Sequence, residues 1–235
     1  MTFPVYVAGV HPHVLFELLA YATGVAIIVS MRRRAGDVLS IRDRWSIAAA
    51  ALVGGAVGAR LLSWLSEPAL VWPTGKTIVG GLAGGLIAVE LTKRAMGIRT
   101  PTGDLFALPL TVGIAIGRIG CFLSGLDDHT YGTPTSWPTG VDFGDGIRRH
   151  PTALYEAAFL AVLAFALVML RSRQVRPGVE FKLFMIAYLA LRLLLDFIKP
   201  EPVVALGLSA IQLACAGVLG YYAISLTRSR RYVRA

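Results

Sequence analysis

Residues 117–156 of the chain read GRIGCFLSGLDDHTYGTPTSWPTGVDFGDGIRRHPTALYE. This is the one long polar passage in a sequence that otherwise alternates apolar runs with short basic loops. Its glycines and prolines do not permit one continuous helix and predict turns instead. The roughly 27 residues between its flanking apolar runs exceed an ordinary connector, which indicates a functional segment.

The composition around this passage is typical of a membrane protein. Of the 235 residues, 55% are hydrophobic and 16% are charged, and the mean hydropathy is +0.65. An ordinary soluble domain has about 25% charged residues. The net charge of +9 lies in loops between apolar runs, so membrane orientation explains it better than nucleic-acid binding does. The two cysteines are far apart and predict no disulfide framework.

Seven apolar segments are long enough for membrane helices, each of which needs about 20 residues. We therefore predict an all-α, polytopic membrane protein with seven transmembrane helices in a single integral membrane domain, residues 1–235. The predicted spans are about 13–31, 45–66, 77–96, 101–123, 151–170, 180–198 and 203–226, and the loop is 124–150. No basic residue precedes the first span, so we expect it to stay in the membrane rather than be cleaved as a signal peptide.

The basic residues predict the orientation of these spans. Most of them lie in the loops after spans one, three and five and in the C-terminal tail. Such a bias marks the cytoplasmic side, so we predict the N-terminus outside and the C-terminus inside. The 124–150 loop then faces outward, toward the periplasm if the membrane is a bacterial inner membrane.

Glycines in the second and third spans predict close helix packing. They recur at small-xxx-small spacing, which lets two helix backbones approach each other in lipid. The residues are Gly54, Gly55, Gly58, Gly80, Gly81, Gly84 and Gly85. We prefer this interpretation to a phosphate-binding loop.

Ionisable residues within predicted spans cost a few kcal/mol each and usually face a polar interior. Here they concentrate in the outer halves of the spans: His13, Glu17, Arg60, Arg118, His150, Glu156, Arg192 and Asp196. Single members have simpler explanations, such as an internal ion pair between Arg192 and Asp196. The joint occurrence of three arginines and several carboxylates at one depth favours a polar cavity open to the outer leaflet.

The residue types indicate the chemistry of such a cavity. Arginine binds phosphate oxygens in bidentate fashion and keeps its charge, and a nearby histidine or carboxylate can act as a general base. His129 beside Asp127 and Asp128 lacks a fixed metal-ligand spacing, so we expect no metal and no cofactor. The residues alone indicate an outer-leaflet phospholipid-handling enzyme or, alternatively, a transporter with an outward-facing anionic site.

Three segments resemble the signature of the prolipoprotein diacylglyceryl transferase family. They are GRIGCFLSG at 117–125, HPTALYE at 150–156 and YLALRLLLDF at 188–197, with a weaker match in GGLAGGLI at 80–87. The matches occur in the family's order over most of the chain. Members of this family span the membrane seven times with the N-terminus outside.

The resemblance implies a reaction and its partners. The family transfers the diacylglyceryl group of phosphatidylglycerol to the lipobox cysteine thiol of preprolipoprotein signal peptides, and glycerol-1-phosphate leaves. Arg118 and Arg192 would hold the headgroup, and Asp196 would position Arg192. We count as catalytic candidates Arg118, Arg192, His150, His129 and Asp128. The substrate-binding candidates are Arg118, Arg192, Asp196, Glu156, Tyr155, Cys121, Gly125, Arg60 and His13.

Departures from the family pattern leave alternatives open. Cys121 stands where the family often has Asn, and LDDHTYG replaces a shorter run containing Glu, so Asp127 or Asp128 would substitute for that Glu. Ala83 stands where better-known members have His. The general base is then His129 or His150. A divergent member with the same lipid donor and another acceptor, and a lipid or anion transporter, are the competing hypotheses.

Overall fold

The computed structural model describes residues 3–35, 39–66, 75–173 and 175–232, and these residues are mainly helical. Seven α-helices lie within them: Pro12–Ala35 (α1), Ile41–Ser66 (α2), Ile78–Ala95 (α3), Asp104–Ser124 (α4), Thr152–Ser172 (α5), Val179–Leu195 (α6) and Ala210–Tyr232 (α7). Two short antiparallel hairpins accompany them. Val141–Asp142 (β1) pairs with Arg148–Arg149 (β2), and Val203–Ala205 (β3) pairs with Leu208–Ser209 (β4).

Four helices of the described residues are long and apolar enough to cross a membrane. They are Pro12–Arg33, Ile41–Ser66, the segment Asp104–Asp128 and Thr152–Ser172, with mean hydropathies between 1.5 and 2.3. Many large apolar side chains on these helices are exposed, among them Leu52, Val162 and Phe165. Lipid accommodates such a surface, whereas a soluble monomer rarely exposes it. The membrane character is therefore confirmed, while the seven-span topology, its orientation and the single domain stay predictions.

The last two predicted spans differ most from the observed helices. Helix α6 ends at Leu195 and continues as a 3-10 turn over Asp196–Ile198. The predicted seventh span begins at 203, but residues 203–209 form the second hairpin and α7 begins at Ala210. The reason is a capping box: Gln212 N–H donates to Ser209 Oγ at 3.0 Å, and Ser209 N–H donates to Gln212 Oε1 at 2.9 Å.

The described residues group into two compact units. The first comprises Met1–Gly36, Pro101–Leu191 and Phe197–Pro200. In it α1 packs on α4, and α4 packs on α5. Gly120 permits the first contact, because a Cβ there would lie 2.5 Å from the Cβ of Phe16. The N-terminus of α6 is fixed by Asp104, which accepts hydrogen bonds from Gly178 N–H and, at 2.9 Å, from Phe181 N–H.

The second unit comprises Asp37–Thr100, Arg192–Asp196 and Glu201–Ala235. Helices α2 and α3 pack closely in it, and α7 contacts both. The backbones meet at glycines: a Cβ on Gly58 would lie 2.8 Å from Gly84 Cα, and a Cβ on Gly54 would lie 2.6 Å from Gly84 O. This geometry confirms helix packing as the role of these glycines.

The 124–150 loop is ordered and rich in turns, as its composition predicts. It starts with a 3-10 turn over Gly125–Asp128, and Gly132 N–H then donates to His150 O at 2.8 Å. The guanidinium of Arg148 donates to the carbonyl oxygens of Trp137, Pro138 and Gly140. Backbone carbonyls that lack a strand partner are thereby satisfied by one side chain.

Candidate functional site

The first unit contains a buried ion pair between two helices. Arg118 near the end of α4 places Nε 2.8 Å from Glu156 Oε1, in the first turns of α5. Tyr188 of α6 donates its hydroxyl to the same Oε1 at 2.7 Å. Arg118 is 8% exposed and Glu156 is 1% exposed. A buried charge requires such partners, because an isolated one carries a desolvation penalty of several kcal/mol.

This arrangement fixes the direction of the arginine. Its Nη1 also donates to Cys121 Sγ at 3.8 Å, one turn further along α4. Glu156 therefore lies against Nε and Cys121 accepts from Nη1, so the protein contacts two of the three nitrogens of the guanidinium. A guanidinium held by a fixed carboxylate is preorganised to bind a phosphate oxygen without reorganising at the moment of reaction.

A second cluster lies on the other side of Cys121. His13 near the start of α1 places Nδ1 2.8 Å from Asp128 Oδ1, at the end of the 3-10 turn that follows α4. Among the described residues Nδ1 has no hydrogen-bond partner by geometry, so the approach of the carboxylate is a close contact rather than a hydrogen bond. Glu17 lies 3.7 Å from the other ring nitrogen and accepts a hydrogen bond from Tyr21 at 2.8 Å.

His13, Cys121 and Asp128 are also the residues that could hold a metal ion in the described part of the chain. One ligand atom of each lies within 4.8 Å of the others. The set of imidazole, thiolate and carboxylate suits zinc, although three ligands leave its fourth position open. The sequence analysis weighed Asp127, Asp128 and His129 as ligands and predicted no metal; of these three residues, only Asp128 belongs to this group.

His150 and Tyr155 lie together at the junction of the loop and α5. His150 is buried, with Nδ1 3.3 Å from the Tyr155 hydroxyl, and its ring meets the edge of Trp137. Thr139 of the loop lies 2.6 Å from the same hydroxyl. These contacts tie the loop to α5, which favours a structural role for His150.

His129 and Gly125 occupy the turn itself. Gly125 ends α4 with φ of +66°, a conformation that glycine adopts without strain. His129 ends the 3-10 turn with φ of +50°, and its side chain is exposed. Its ring lies near Tyr131 and not near the carboxylate of Asp128 or Glu156 in the described contacts. The structure therefore places His129 outside both clusters.

The second unit holds the Arg192 cluster. Arg192 Nη2 lies 3.4 Å from Asp196 Oδ1, which is the ion pair that the i, i+4 spacing predicts. The other oxygen of Asp196 accepts a hydrogen bond from Ser209, the residue that caps α7. Asp196 thus positions Arg192 while Ser209 positions Asp196. Arg60 also belongs to this unit and is exposed on α2.

A narrow crevice lies beside Cys121 in the first unit. Its empty volume is about 170 Å³, and its lining includes Phe122, Tyr131, Phe143 and Thr152. Part of that volume is open solvent, so the enclosed space is far below the roughly 300–1,000 Å³ of ordinary ligand pockets. The crevice is therefore too small for a whole phospholipid.

The 124–150 loop carries a second ion pair at its hairpin. Arg149 Nη2 lies 2.7 Å from Asp145 Oδ2, and the guanidinium lies 5.1 Å above the ring of Tyr131. The hydrogen bond from Arg149 lowers the pKa of the Asp145 carboxyl below its ordinary value. The pair stabilises the hairpin that leads into His150.

Sequence reasoning missed two functional neighbours. Tyr188 stands one turn before Arg192 in a quoted motif, but nothing in the sequence pairs it with Glu156. Ser209 carries a readable signal, because the S-x-x-Q pattern at 209–212 predicts a helix start. Its contact with Asp196 is tertiary and leaves no pattern in the sequence.

Comparisons with known proteins agree with the motifs. The family model described as prolipoprotein diacylglyceryl transferase matches residues 5–227. The phosphatidylglycerol–prolipoprotein diacylglyceryl transferase of Geobacter sulfurreducens is 33% identical over 211 residues, covering 83% of this chain and 80% of that relative. The protein of the same name from Bordetella bronchiseptica is 31% identical over 218 residues, covering 83% and 81%. That of Cupriavidus metallidurans is 38% identical over 149 residues, covering 61% and 54%.

Proposed function

The chain belongs to the prolipoprotein diacylglyceryl transferase family, and we propose that it transfers the diacylglyceryl group of phosphatidylglycerol to the lipobox cysteine thiol of prolipoprotein signal peptides. Glycerol-1-phosphate is the leaving group. The substrate names come from the relatives, and the motifs at 117–125, 150–156 and 188–197 support the assignment. The enzyme is a transferase of lipoprotein biosynthesis in a membrane.

The observation that carries this proposal is the buried Arg118–Glu156–Tyr188 cluster. In the transfer, a C–O bond to the phosphate breaks and negative charge grows on the departing phosphate. Arg118 binds this phosphate, and its contacts with Glu156 and Cys121 keep the guanidinium in one position. Glu156 and Tyr188 position the arginine. Removing one preorganised donor of this kind typically costs about 10²- to 10³-fold in kcat.

We propose a headgroup role for Arg192 as well. It is 3% exposed, and Asp196 stands in the motif position where the family usually has Glu. The shorter Asp carboxylate is held in place by Ser209, so it can still position the guanidinium. Tyr155 and His150 shape the junction between the loop and α5, and Arg60 is the least supported candidate because it is exposed.

We place the active site at the outer leaflet of a bacterial inner membrane. The positive-inside rule assigns the basic loops to the cytoplasm. The 124–150 loop joins the end of α4 to the start of α5, and the basic loops adjoin the other ends of these two helices, so the 124–150 loop lies on the outer side. Phosphatidylglycerol then enters laterally from the bilayer, and the signal peptide is a membrane-bound acceptor.

The test is a transfer assay with purified protein in detergent, radiolabelled phosphatidylglycerol and a lipobox peptide. We expect a labelled thioether on the peptide and stoichiometric glycerol phosphate. Arg118→Ala and Arg192→Ala should each abolish turnover, and circular dichroism of each purified variant checks that its helices are still formed. Arg173→Ala, which alters an exposed arginine between α5 and α6, is the matched control and should retain activity. Full activity in Arg118→Ala would refute the headgroup role.

Arg118→Lys separates geometry from charge. A lysine keeps the positive charge but lacks the planar fork, so we expect it to fail if the arginine binds Glu156 and the phosphate together. Wild-type activity in Arg118→Lys would mean that charge alone suffices.

The competing hypotheses give other results in the same assay. A divergent member, suggested by Ala83 and by Asp127–Asp128, would release glycerol phosphate only with another thiol or hydroxyl acceptor. A transporter would move labelled lipid or anion across proteoliposomes without breaking the C–O bond. No glycerol phosphate with any acceptor would contradict both transferase hypotheses.

A further inference from the structure

We infer that His13, Cys121 and Asp128 form a binding site for a zinc ion, which joins the start of α1 to the end of α4. This site is independent of the proposed transfer reaction. The sequence indicates no metal at these positions, because the three residues lack the fixed spacing of a zinc motif. The fold brings them together, and one ligand atom of each lies within 4.8 Å of the others.

The contact between His13 and Asp128 is typical of two metal ligands rather than of an ordinary ion pair. Nδ1 of the ring lies 2.8 Å from Oδ1 of the carboxylate. Nδ1 is nevertheless buried and has no hydrogen-bond partner among the described residues. A protonated ring paired with a carboxylate would direct its N–H at the oxygen. A buried polar atom without a partner is costly, and a metal ion bound by both atoms removes that cost.

The spacing of the three ligand atoms suits a zinc ion. Zinc bonds of roughly 2.0–2.3 Å place tetrahedral ligand atoms about 3.3–3.7 Å apart. The separations here run from 2.8 Å to at most 4.8 Å, on both sides of that range. Shifts of about 1 Å or less in the side chains would therefore close the site. Three protein ligands leave the fourth tetrahedral position to a water molecule.

Two of the ligands have polar partners that orient them. Glu17 lies 3.7 Å from Nε2 of His13, and Tyr21 donates a hydrogen bond to Glu17 at 2.8 Å. Thr130 donates to Oδ2 of Asp128 at 3.4 Å, which leaves Oδ1 for the metal. Histidine ligands usually direct their second ring N–H at a carboxylate, and carboxylate ligands are themselves hydrogen-bonded. The surroundings of His13 and Asp128 follow this pattern.

The charges of the ligand set balance those of a divalent cation. The Cys121 thiolate and the Asp128 carboxylate carry two negative charges, and the histidine binds as the neutral ring. Arg118 donates to Sγ of Cys121 at 3.8 Å, while Glu156 compensates the charge of the arginine. A thiolate with an imidazole selects zinc over magnesium or calcium, which prefer sets of oxygen ligands.

The packing of α1 on α4 holds the ligands in place, and all three belong to the first unit. A Cβ on Gly120 would lie 2.5 Å from the Cβ of Phe16, so the two helices are in close contact beside the site. Val5 N–H donates to Leu123 O at 2.9 Å, which ties the segment before α1 to the end of α4. The His13 side chain is 41% exposed, which gives the ion a path of entry.

The experiment measures metal binding by the full-length protein, purified in detergent through a tag without histidines and in buffers without chelators. Elemental analysis should find zinc at close to one ion per chain. After the zinc is removed with a chelator, added Co²⁺ should give thiolate-to-cobalt charge-transfer absorption and the visible bands of tetrahedral cobalt. The charge-transfer band reports a bond between the metal and a cysteine directly, so the wild type alone tests the site.

Variants then identify the ligands. Cys121→Ala should lose the charge-transfer band, and Cys215→Ala should keep it as the matched control, because it alters the other cysteine, on α7. Glu17→Ala should weaken zinc binding about 10- to 100-fold, the usual effect of losing a partner of a ligand. His13→Ala and Asp128→Ala should weaken it further. Circular dichroism checks that each variant keeps its helices.

The outcomes separate this site from the proposed function. A wild type that holds no zinc and gives no charge-transfer band with Co²⁺ overturns the inference. A band that persists in Cys121→Ala, or that disappears in Cys215→Ala, overturns it as well. Zinc that is bound by the wild type and lost in both His13→Ala and Cys121→Ala supports the site whether or not the protein transfers lipid. Absence of transfer in the lipid assay contradicts the proposed function alone.

Discussion

Glu156 is the residue whose loss the first unit should tolerate least. Its Oε1 contacts the guanidinium of Arg118 and accepts a hydrogen bond from the hydroxyl of Tyr188, and all three side chains are buried. Glu156→Gln leaves a buried guanidinium without its counter-charge, and breaking such a pair lowers the free energy of unfolding by roughly 3–5 kcal/mol. Tyr188→Phe removes one hydrogen bond to a charged group, which is worth roughly 1.5–3 kcal/mol.

Unfolding of the purified variants in detergent, followed by circular dichroism against denaturant, checks this order. The double variant Glu156→Gln/Tyr188→Phe is informative, because the losses of unfolding free energy caused by two contacting residues should not simply add. Equal losses in the two single variants, or strict additivity in the double variant, would contradict a shared carboxylate.

Single residues also show where sequence reasoning ends. The positions of Arg118 and Glu156 within predicted membrane spans identified them as groups that face the protein interior, because a charge exposed to lipid is costly. It did not identify Tyr188 as their partner or Asp128 as the partner of His13. Those pairs join residues far apart in sequence, and only the packing of α1, α4, α5 and α6 decides which of them meet.

At the scale of elements, Asp104 should control the start of α6. Gly178 precedes that helix and has no side chain to cap it, so the carboxylate of Asp104 on α4 accepts the backbone N–H groups of Gly178 and Phe181. We expect Asp104→Ala to cost about 0.5–2 kcal/mol, the usual value of an N-cap. Asp104→Asn should cost less, because its amide keeps one acceptor oxygen.

Thermal unfolding in detergent and hydrogen exchange of the peptide around residues 178–184 measure this effect. Asp43→Ala, which alters an acidic residue in the first turn of α2, is the matched control. Faster exchange across the whole chain instead of at α6 would count against a local cap.

Replacing glycine by alanine should lower stability where α3 packs on α2 and raise it at an open position on α7. A Cβ at Gly84 would lie 2.8 Å from Gly58 Cα and 3.1 Å from Gly58 N, and backbone atoms cannot move aside. Gly84→Ala should therefore lower the thermal midpoint. A Cβ at Gly217 on α7 would meet nothing within 4 Å, so Gly217→Ala should raise stability by up to about 1 kcal/mol through helix propensity. Thermal unfolding of both variants in one detergent is the measurement, and a rise in Gly84→Ala would refute close backbone packing.

The elements were predictable to different degrees. Apolar runs locate the helices, since each run approximates the thickness of the bilayer. They fail at the start of α7, where Val203 and Val204 are apolar but belong to an exposed hairpin. Hydropathy measures composition, whereas the helix begins where Ser209 and Gln212 satisfy its free N–H groups.

For the whole molecule, composition decides the environment but not the function. A chain with 16% charged residues, whose described part contains four long apolar helices, belongs in a membrane. The reaction depends instead on a few polar groups that the helices bring together. Those groups are recognisable from sequence only through family motifs, and the motifs name residues without giving their contacts.

The orientation of the molecule is open to a direct test through α5. This helix has 21 residues, which is about 31 Å at 1.5 Å per residue and matches a hydrocarbon core of about 30 Å. Exposed Trp137 lies in the loop before it, and exposed Arg176 lies after it.

If the basic side is cytoplasmic, a membrane-impermeant maleimide should label Trp137→Cys in spheroplasts and label Arg176→Cys only after permeabilisation. The wild type is a clean background, because Cys121 and Cys215 are both buried. Labelling in the reverse order would invert the topology, and labelling of both without permeabilisation would mean that α5 does not span the bilayer.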